Sequence, residues 1–368
     1  ISAPPIMTGL AAHILPFFHT LLSLFATGEQ ATIVFAGDAM QHKAQIDGAR
    51  RADGSYDYTG CFDAVRPYIE SADYAVVNFE ASLGGKPYSG YPCFSAPDEY
   101  SVALADAGFD FFLLANNHIL DRRDRGMHRT VNMLDSIGMP YAGVYHDSVA
   151  RDTLVPAIVD VGGFKVALLN YTYGTNGITL SGTGIVDYID RRLMAEDVAC
   201  ARQKGADIVA ACVHWGDEYK LLPSPSQKSL ADYLVSLGVD MIIGGHPHVV
   251  QPMEMRSGPD GKPVLVVYSL GNFISNMKTA DTRGGVMVRV RLSRDETGRA
   301  EVSGASYLPV FTEPPSGDRR NFRICYAPES SDPRATVFMR RAEDLFKRYN
   351  INVARDTIYS SSYPSISN

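Results

Sequence analysis

Cysteine is sparse and lacks the spacing of a thiolate metal site or a redox pair. The five residues Cys61, Cys93, Cys200, Cys212 and Cys325 form no CxxC, and their odd number excludes a fully paired disulfide framework. Cys61 and Cys93 are the two that could bridge, whereas Cys212, inside an apolar run, reads as a buried thiol. No Lys/Arg run with interleaved aromatics occurs, and with a formal charge of −7 there is no basic stripe, which excludes nucleic acid as a partner. There is no internal repeat and no linker long enough to force a domain boundary. Asp, Glu, Lys and Arg are all absent from the first 28 residues. Within that stretch Ile6 to Phe25 has about the length of a bilayer span, but Pro16, His13 and His19 interrupt it and no positive charge flanks it. A packed or interfacial helix is the better reading, with residues 1–28 seated either on lipid, as a membrane association, or on the protein itself, and a start at Ile1 leaves room for a leader or anchor upstream. No other stretch has the length and apolarity of a span.

What is present is an ordinary globular composition: 368 residues, 45% hydrophobic and 20% charged, enough to bury one large core or two modest ones. The expected organisation is an apolar segment over 1–30, one domain over 31–350 and a loose tail over 351–368. From Thr32 onward short apolar runs alternate with amphipathic stretches. Thr32–Phe35, Tyr74–Val77, Phe109–Leu114, Val166–Leu169, Ile208–Val213, Met241–Ile243 and Val264–Tyr268 read as buried strands. Helices are expected over Phe62–Ser71, Ser101–Ala107, Gly126–Ile137, Met194–Lys204 and Ser226–Leu237. Gly285–Leu292 and Ala300–Leu308 alternate as an antiparallel pair would. The pattern is that of an α/β fold with strands buried on both faces.

Six of the expected strands run into polar clusters, the position where ligands collect in open α/β sheets. They are Asp38 with Met40 and His42, Asn78 with Glu80, Asn117 and His118 with Asp121, His214 to Tyr219, His246 with His248, and Asn272. The sharpest is Gly244-Gly-His-Pro-His248, which sets two imidazoles at i and i+2 behind glycines that let backbone approach an ion closely. Singly, each cluster has a plain alternative: Asp38 or His42 as a helix cap, Asn117 as a turn residue, His214 as a satisfied core histidine. Together, mixed oxygen and nitrogen donors without cysteine suit one or two divalent transition metal ions, Mn, Zn or Fe, with Glu80 able to bridge. His118, oriented by Asp121, is a candidate proton donor. His42, Trp215, Glu218, Tyr219 and Asn272 are candidates to line a substrate pocket, with core packing the alternative for the aromatics. Tyr88-Ser-Gly-Tyr91 is a loop over the site or a simple turn, and Arg122, Arg123 and Arg125 form either an anion-attracting cluster or a solvated helix face.

This ordered set resembles the bacterial capsule synthesis protein CapA family, the poly-γ-glutamate biosynthesis proteins, over roughly Thr32 to Asn276. The resemblance carries Gly37-Asp-Ala-Met40, Asn78-Phe-Glu80, Ala115-Asn-Asn-His118, His214-Trp-Gly216, Gly245-His-Pro-His-Val249 and Tyr268-Ser-Leu-Gly-Asn-Phe273. It implies a metallophosphoesterase-like four-layer αββα sandwich of two mixed sheets flanked by helices, and a place in the cell envelope. It also implies that Asp38, Glu80 and His248 hold one metal while Glu80, Asn117, His214 and His246 hold the other. The pattern departs at Met40, where the superfamily carries an imidazole, and at Glu80, one methylene longer than the usual Asp. The implied function is capsule or poly-γ-glutamate biosynthesis, with a hydrolase-like site for an amide or phosphoester of an anionic envelope polymer. Its alternatives are a non-catalytic polymer-binding component, or a scaffold, working with membrane capsule-synthesis proteins.

Overall fold

The computed structural model describes residues 29–356, so the apolar segment and most of the expected tail lie outside the described residues. In chain order the strands are β1 (Gln30–Ala39), β2 (Tyr74–Asn78), β3 (Phe111–Leu113), β4 (Tyr141–Ala142), β5 (Val144–Tyr145), β6 (Ala157–Val161), β7 (Phe164–Thr172) and β8 (Ile185–Val186). They continue as β9 (Ile208–His214), β10 (Met241–Gly245), β11 (Met253–Ser257), β12 (Pro263–Val267), β13 (Asn272–Ile274), β14 (Gly284–Arg294), β15 (Ala300–Glu313), β16 (Arg323–Tyr326) and β17 (Val353–Arg355). One large sheet runs β16-β15-β14-β1-β2-β3-β4, with β13 also beside β1 and β17 beside β15; a second large sheet runs β11-β12-β10-β9-β7-β6, and β5 and β8 pair apart from both. Both large sheets are mixed. β1 to β4 are parallel and β14 and β15 antiparallel in the first sheet. In the second, β7, β9, β10 and β12 are parallel between the antiparallel edges β6 and β11.

Side chains alternate across a strand, and here both faces are apolar because both are covered. Ile33 and Phe35 of β1, with Val286 and Val288 of β14, face Val166, Leu168, Ala210, Cys212 and Ile243 of the second sheet in a core between the sheets. The alternate residues Val34, Ala36 and Met287 pack outward under helices Arg66–Glu70, Asp98–Asp106 and Arg123–Ser136. On the far side Ala167, Leu169, Val209, Ala211 and Val213 pack under helices Arg191–Gln203 and Pro225–Ser236. The layers are therefore helix, sheet, sheet, helix, as the resemblance implies. Local chemistry starts the helices on the second sheet. Asp190 accepts the Leu193 amide, and Ser224 and Gln227 make a capping box ahead of Pro225.

Among the described residues four α-helices fall outside the expected set: Lys43–Ala49, Ser148–Leu154, Ala280–Arg283 and the 17-residue Pro333–Tyr349. The last buries a stripe of Ala335, Phe338, Ala342 and Phe346 against β14 and β15, with the rings of Phe346 and Tyr307 4.7 Å apart. Val353–Arg355, inside the stretch expected as a tail, pairs in parallel with Ala305–Tyr307. No disulfide joins Cys61 and Cys93: Cys61 is buried and Cys93 exposed. Among the described residues no helix is long and apolar enough to cross a membrane.

Candidate metal centre

The carboxyl ends of β1 and β2 meet those of β9 and β10, and this junction brings together residues that are far apart in the chain. Three glycines permit it. A Cβ on Gly37 would fall 2.0 Å from the Gly271 carbonyl, one on Gly244 would fall 2.1 Å from the Tyr268 carbonyl, and one on Gly245 would meet Asp38 Oδ1 at 2.7 Å. In the Gly-Gly-His-Pro-His turn, His246 (φ 98°) and His248 (φ 56°) both adopt left-handed backbone. Such strain costs about 1–3 kcal/mol per residue and concentrates at functional sites.

Glu80 is at the centre and fully buried. His214 Nε2 lies 3.6 Å from its Oε1, His118 Nε2 4.0 Å from the same oxygen, and His248 Nδ1 3.8 Å from Oε2. His248 Nδ1 is also 3.3 Å from Asp38 Oδ2, and Asn117 Oδ1 is 2.7 Å from His214 Nε2. Two groups have ligand atoms close enough to share an ion: Glu80 with His246 and His248, and Asp38 with Glu80 and His214. Glu80 is common to both, as a bridging residue must be. The contacts of His248 with Asp38 and of His214 with Asn117 also fall within the implied sets, and the rings of His214 and His246 are 4.8 Å apart.

The donor set is left incomplete by the protein. Both Glu80 oxygens, His246 Nδ1 and Asn78 Oδ1 are buried with no hydrogen-bond partner. Most buried polar atoms in proteins are paired, so four orphans around one point call for a bound group. A divalent cation fits the carboxylate, carboxamide and imidazole donors. Burial, and then Asp38, pushes the Glu80 carboxyl well above its ordinary range. Burial, and then the neighbouring His246, holds His214 well below its usual value; burial and then His248 bring His246 down to about 4. Without a cation the site opposes charge of either sign.

His118 lies beside this cluster. Its Nδ1 is 2.8 Å from Asp121 Oδ2, which also accepts the Phe94 amide at 2.7 Å. Asp121 thereby selects the Nδ1–H tautomer and leaves Nε2 facing Glu80. Asn116 braces the loop by donating to the Phe79 carbonyl and accepting the His118 amide.

The remaining candidates separate. Glu218 and Tyr219, both exposed, rim a cleft of about 760 Å³ with Met40, His42, Tyr91, His118 and His248. His42 caps helix Lys43–Ala49, its amide donating to Gln45 Oε1 at 2.8 Å, and its Nδ1 accepts the Asn276 amide at 3.2 Å. Asn272 is fully buried; its Nδ2 donates to the Thr282 carbonyl at 2.8 Å and its Oδ1 is 3.0 Å from His248 Nδ1, which it orients. Trp215 belongs to the helix-side core, its indole donating to the Tyr268 carbonyl at 2.9 Å. Two contributors were not singled out as site residues. Asn78 Nδ2 donates to Asp38 Oδ1 at 2.7 Å and lies 3.2 Å from His214 Nδ1, while the Tyr173 ring sits 4.5 Å from that of His246. Asn78 stands in the Asn-Phe-Glu motif, and Tyr173 in the segment Asn170-Tyr-Thr-Tyr-Gly-Thr-Asn-Gly177.

By fold and site this is a four-layer α/β/β/α protein with a candidate metal centre at its joined strand ends. The family model for bacterial capsule synthesis protein PGA_cap matches residues 32–277, and the chain belongs to that family. It is 28% identical over 285 residues to the capsule biosynthesis protein CapA of Bacillus anthracis, covering 74% of this chain and 67% of that one. It is 29% identical over 283 residues to the PGA biosynthesis protein CapA of Bacillus subtilis (strain 168), covering 73% and 70%. Among solved structures it is similar to the Haemophilus influenzae NAD nucleotidase, with TM-score 0.49, 13% identity and 87% and 68% of the two chains covered. A calcineurin-like phosphoesterase, YfkN, from Bacillus subtilis aligns with TM-score 0.45, 14% identity and coverage of 86% and 97%.

Proposed function

We propose that this chain serves capsule or poly-γ-glutamate biosynthesis at the cell envelope as a metal-dependent hydrolase of an amide or phosphoester in an anionic polymer. The observation that carries the reading is Glu80: a carboxylate with no exposure and no hydrogen-bond partner, faced by His118, His214 and His248 within 3.6–4.0 Å. Asp38, Glu80, Asn117, His214, His246 and His248 would hold one or two divalent ions, Mn, Zn or Fe. Bound there, such an ion supplies Lewis-acid polarisation of a carbonyl or phosphoryl oxygen and a more acidic water. Asn78 and Asn272 keep Asp38 and His248 in place. Asp121 accepts from His118 Nδ1–H, so that a proton taken up at Nε2, beside the cleft, can be passed to a departing amine or alkoxide. Glu218 and Tyr219 border the entrance.

Elemental analysis of wild type, His246→Ala and Glu80→Ala, with a phosphodiester and a γ-glutamyl amide tested on the same samples, decides the matter. Close to one or two equivalents of metal, lost together with turnover in both variants, are expected. Absence of metal after reconstitution would leave polymer binding without catalysis as the better account.

A further inference from the structure

The chain as a whole is acidic, yet one surface groove is walled by cations that lack acidic partners. The groove, of about 520 Å³, lies between the segment around Gly85 and the start of helix Arg123–Ser136 and is lined by Gly84, Gly85, Lys86, Tyr88, Arg122 and Arg125. A further arginine there, Arg129, is neutralised by Asp98, with both guanidinium nitrogens 2.7 Å from carboxylate oxygens. The others are not. Lys86 and Arg125 make no ion pair among the described residues, and Lys86 Nζ stands 6.0 Å from the centre of the Tyr88 ring. Arg122 donates only to neutral oxygens, the Pro87 carbonyl and Ser89 Oγ, and its Nε is buried with no partner.

Packing holds this arrangement in place. A Cβ on Gly84 would fall 2.3 Å from Arg122 Cγ, and one on Gly126 would fall 2.1 Å from Arg122 Cβ. The Arg122 stem is thus held between two backbones that only glycine allows so near. The segment that walls the groove also walls the metal-centre cleft. Ser89 and Ser95 exchange backbone hydrogen bonds of 3.0 and 2.8 Å, and Tyr91, beyond the tip, lines the cleft with His42, His118 and His248. Arg122 pins this segment from one side and follows directly on Asp121, the partner of His118.

We infer that the groove is a second subsite for the same polymer, taking the carboxylate of a unit that flanks the one held in the cleft. This rests on the reading of the centre as one that acts on an anionic envelope polymer. Guanidinium groups bind carboxylates through paired, charge-assisted hydrogen bonds, and a cationic groove in an acidic protein draws a polyanion to its face. The loop over residues 86–92 is then the ridge across which the polymer passes from subsite to cleft.

The test is fluorescence anisotropy of a labelled oligo-γ-glutamate with the metal-loaded full chain. Compared are wild type, Lys86→Glu/Arg125→Glu, the neutral Lys86→Ala/Arg125→Ala, and Arg192→Glu/Lys228→Glu, which changes the charge equally on the opposite helices. The groove variants are expected to bind about tenfold or more weakly at low salt, with a difference that narrows as salt rises, because charge-assisted contacts are lost and screening grows. The distant pair should bind as wild type. Unchanged affinity in both groove variants, or an equal loss in the distant pair, overturns the subsite. So does a loss confined to inorganic polyphosphate. Metal content of the same samples reports separately on the centre, so a metal-free wild type defeats the hydrolase reading without touching the affinity comparison.

Discussion

At the scale of single residues, the energetics of the centre turn on burying charge. The folded-state pKa of Glu80 is raised, so its contribution to stability is favourable below the ordinary value of 4.5 and is lost as pH rises through the elevated one. Glu80→Gln, which cannot ionise, should therefore stabilise the chelator-treated protein at neutral pH, by about 1–3 kcal/mol for removal of an unpaired buried charge, while abolishing metal-induced stabilisation. Thermal denaturation with and without metal checks both, and a destabilised Gln variant would show that the carboxylate is satisfied by other means. His246 has the opposite sign. Burial lowers it from 6.5 to about 4, so the unfolded chain takes up the proton first, and the stability present above 6.5 is lost as pH falls through about 4. The metal-free melting temperature should decline across that window, and the decline should flatten in His246→Ala. Asp121→Asn keeps an acceptor for the Phe94 amide but weakens its hold on His118. Turnover should drop about 10–100-fold, as for other orienting partners, with metal content retained. Unaltered kcat would remove His118 from the proton-donor role.

At the scale of elements, the centre exists because strand ends come closer than side chains normally permit. Gly37 ends the apolar part of β1 against the Gly271 carbonyl, and Gly244 lies between the Tyr268 carbonyl and the Trp215 indole. Either substitution to Ala drives a methyl into backbone that has nowhere to go. Gly37→Ala and Gly244→Ala should each cost about 1–3 kcal/mol or more by overpacking. They should also reduce metal affinity, measured by titration, more than the folded fraction falls, since they displace Asp38 or the His246–His248 turn. Asn272 shows the same logic in milder form: β13 places it beside Asp38 in register and its carboxamide meets His248.

For the whole molecule, the helix Pro333–Tyr349 closes the core alongside β14 and β15. Phe338 is 1% exposed, and a Cβ on Gly284 would lie 2.4 Å from its ring. Phe338→Ala should destabilise by about 3–5 kcal/mol, as large-to-small changes of a buried aromatic do, measured by denaturant unfolding. Metal stoichiometry of the folded fraction should remain intact, because this helix does not contribute to the candidate ligands.

The apolar runs and their spacing were enough to read the layered architecture, because a strand buried on both faces must be apolar at successive positions. Val34 and Phe35, packed on opposite sides of β1, show this directly. The donors at the strand ends were legible too, since Gly-Gly-His-Pro-His or Asn-Asn-His after an apolar run has few structural uses. The Pro333–Tyr349 helix also had a signal, a buried stripe at helical spacing within a strongly charged segment. Other features depended on the fold. His42 serves as a cap, Trp215 fills the helix-side core, and Asn272 orients His248, although all three stand in motifs beside the donors. The convergence of Asp38, His214, His246 and His248 on Glu80 followed only from strands meeting across two sheets. Sequence periodicity records which residues leave water; which buried donors then share a point in space is set by packing between segments far apart in the chain.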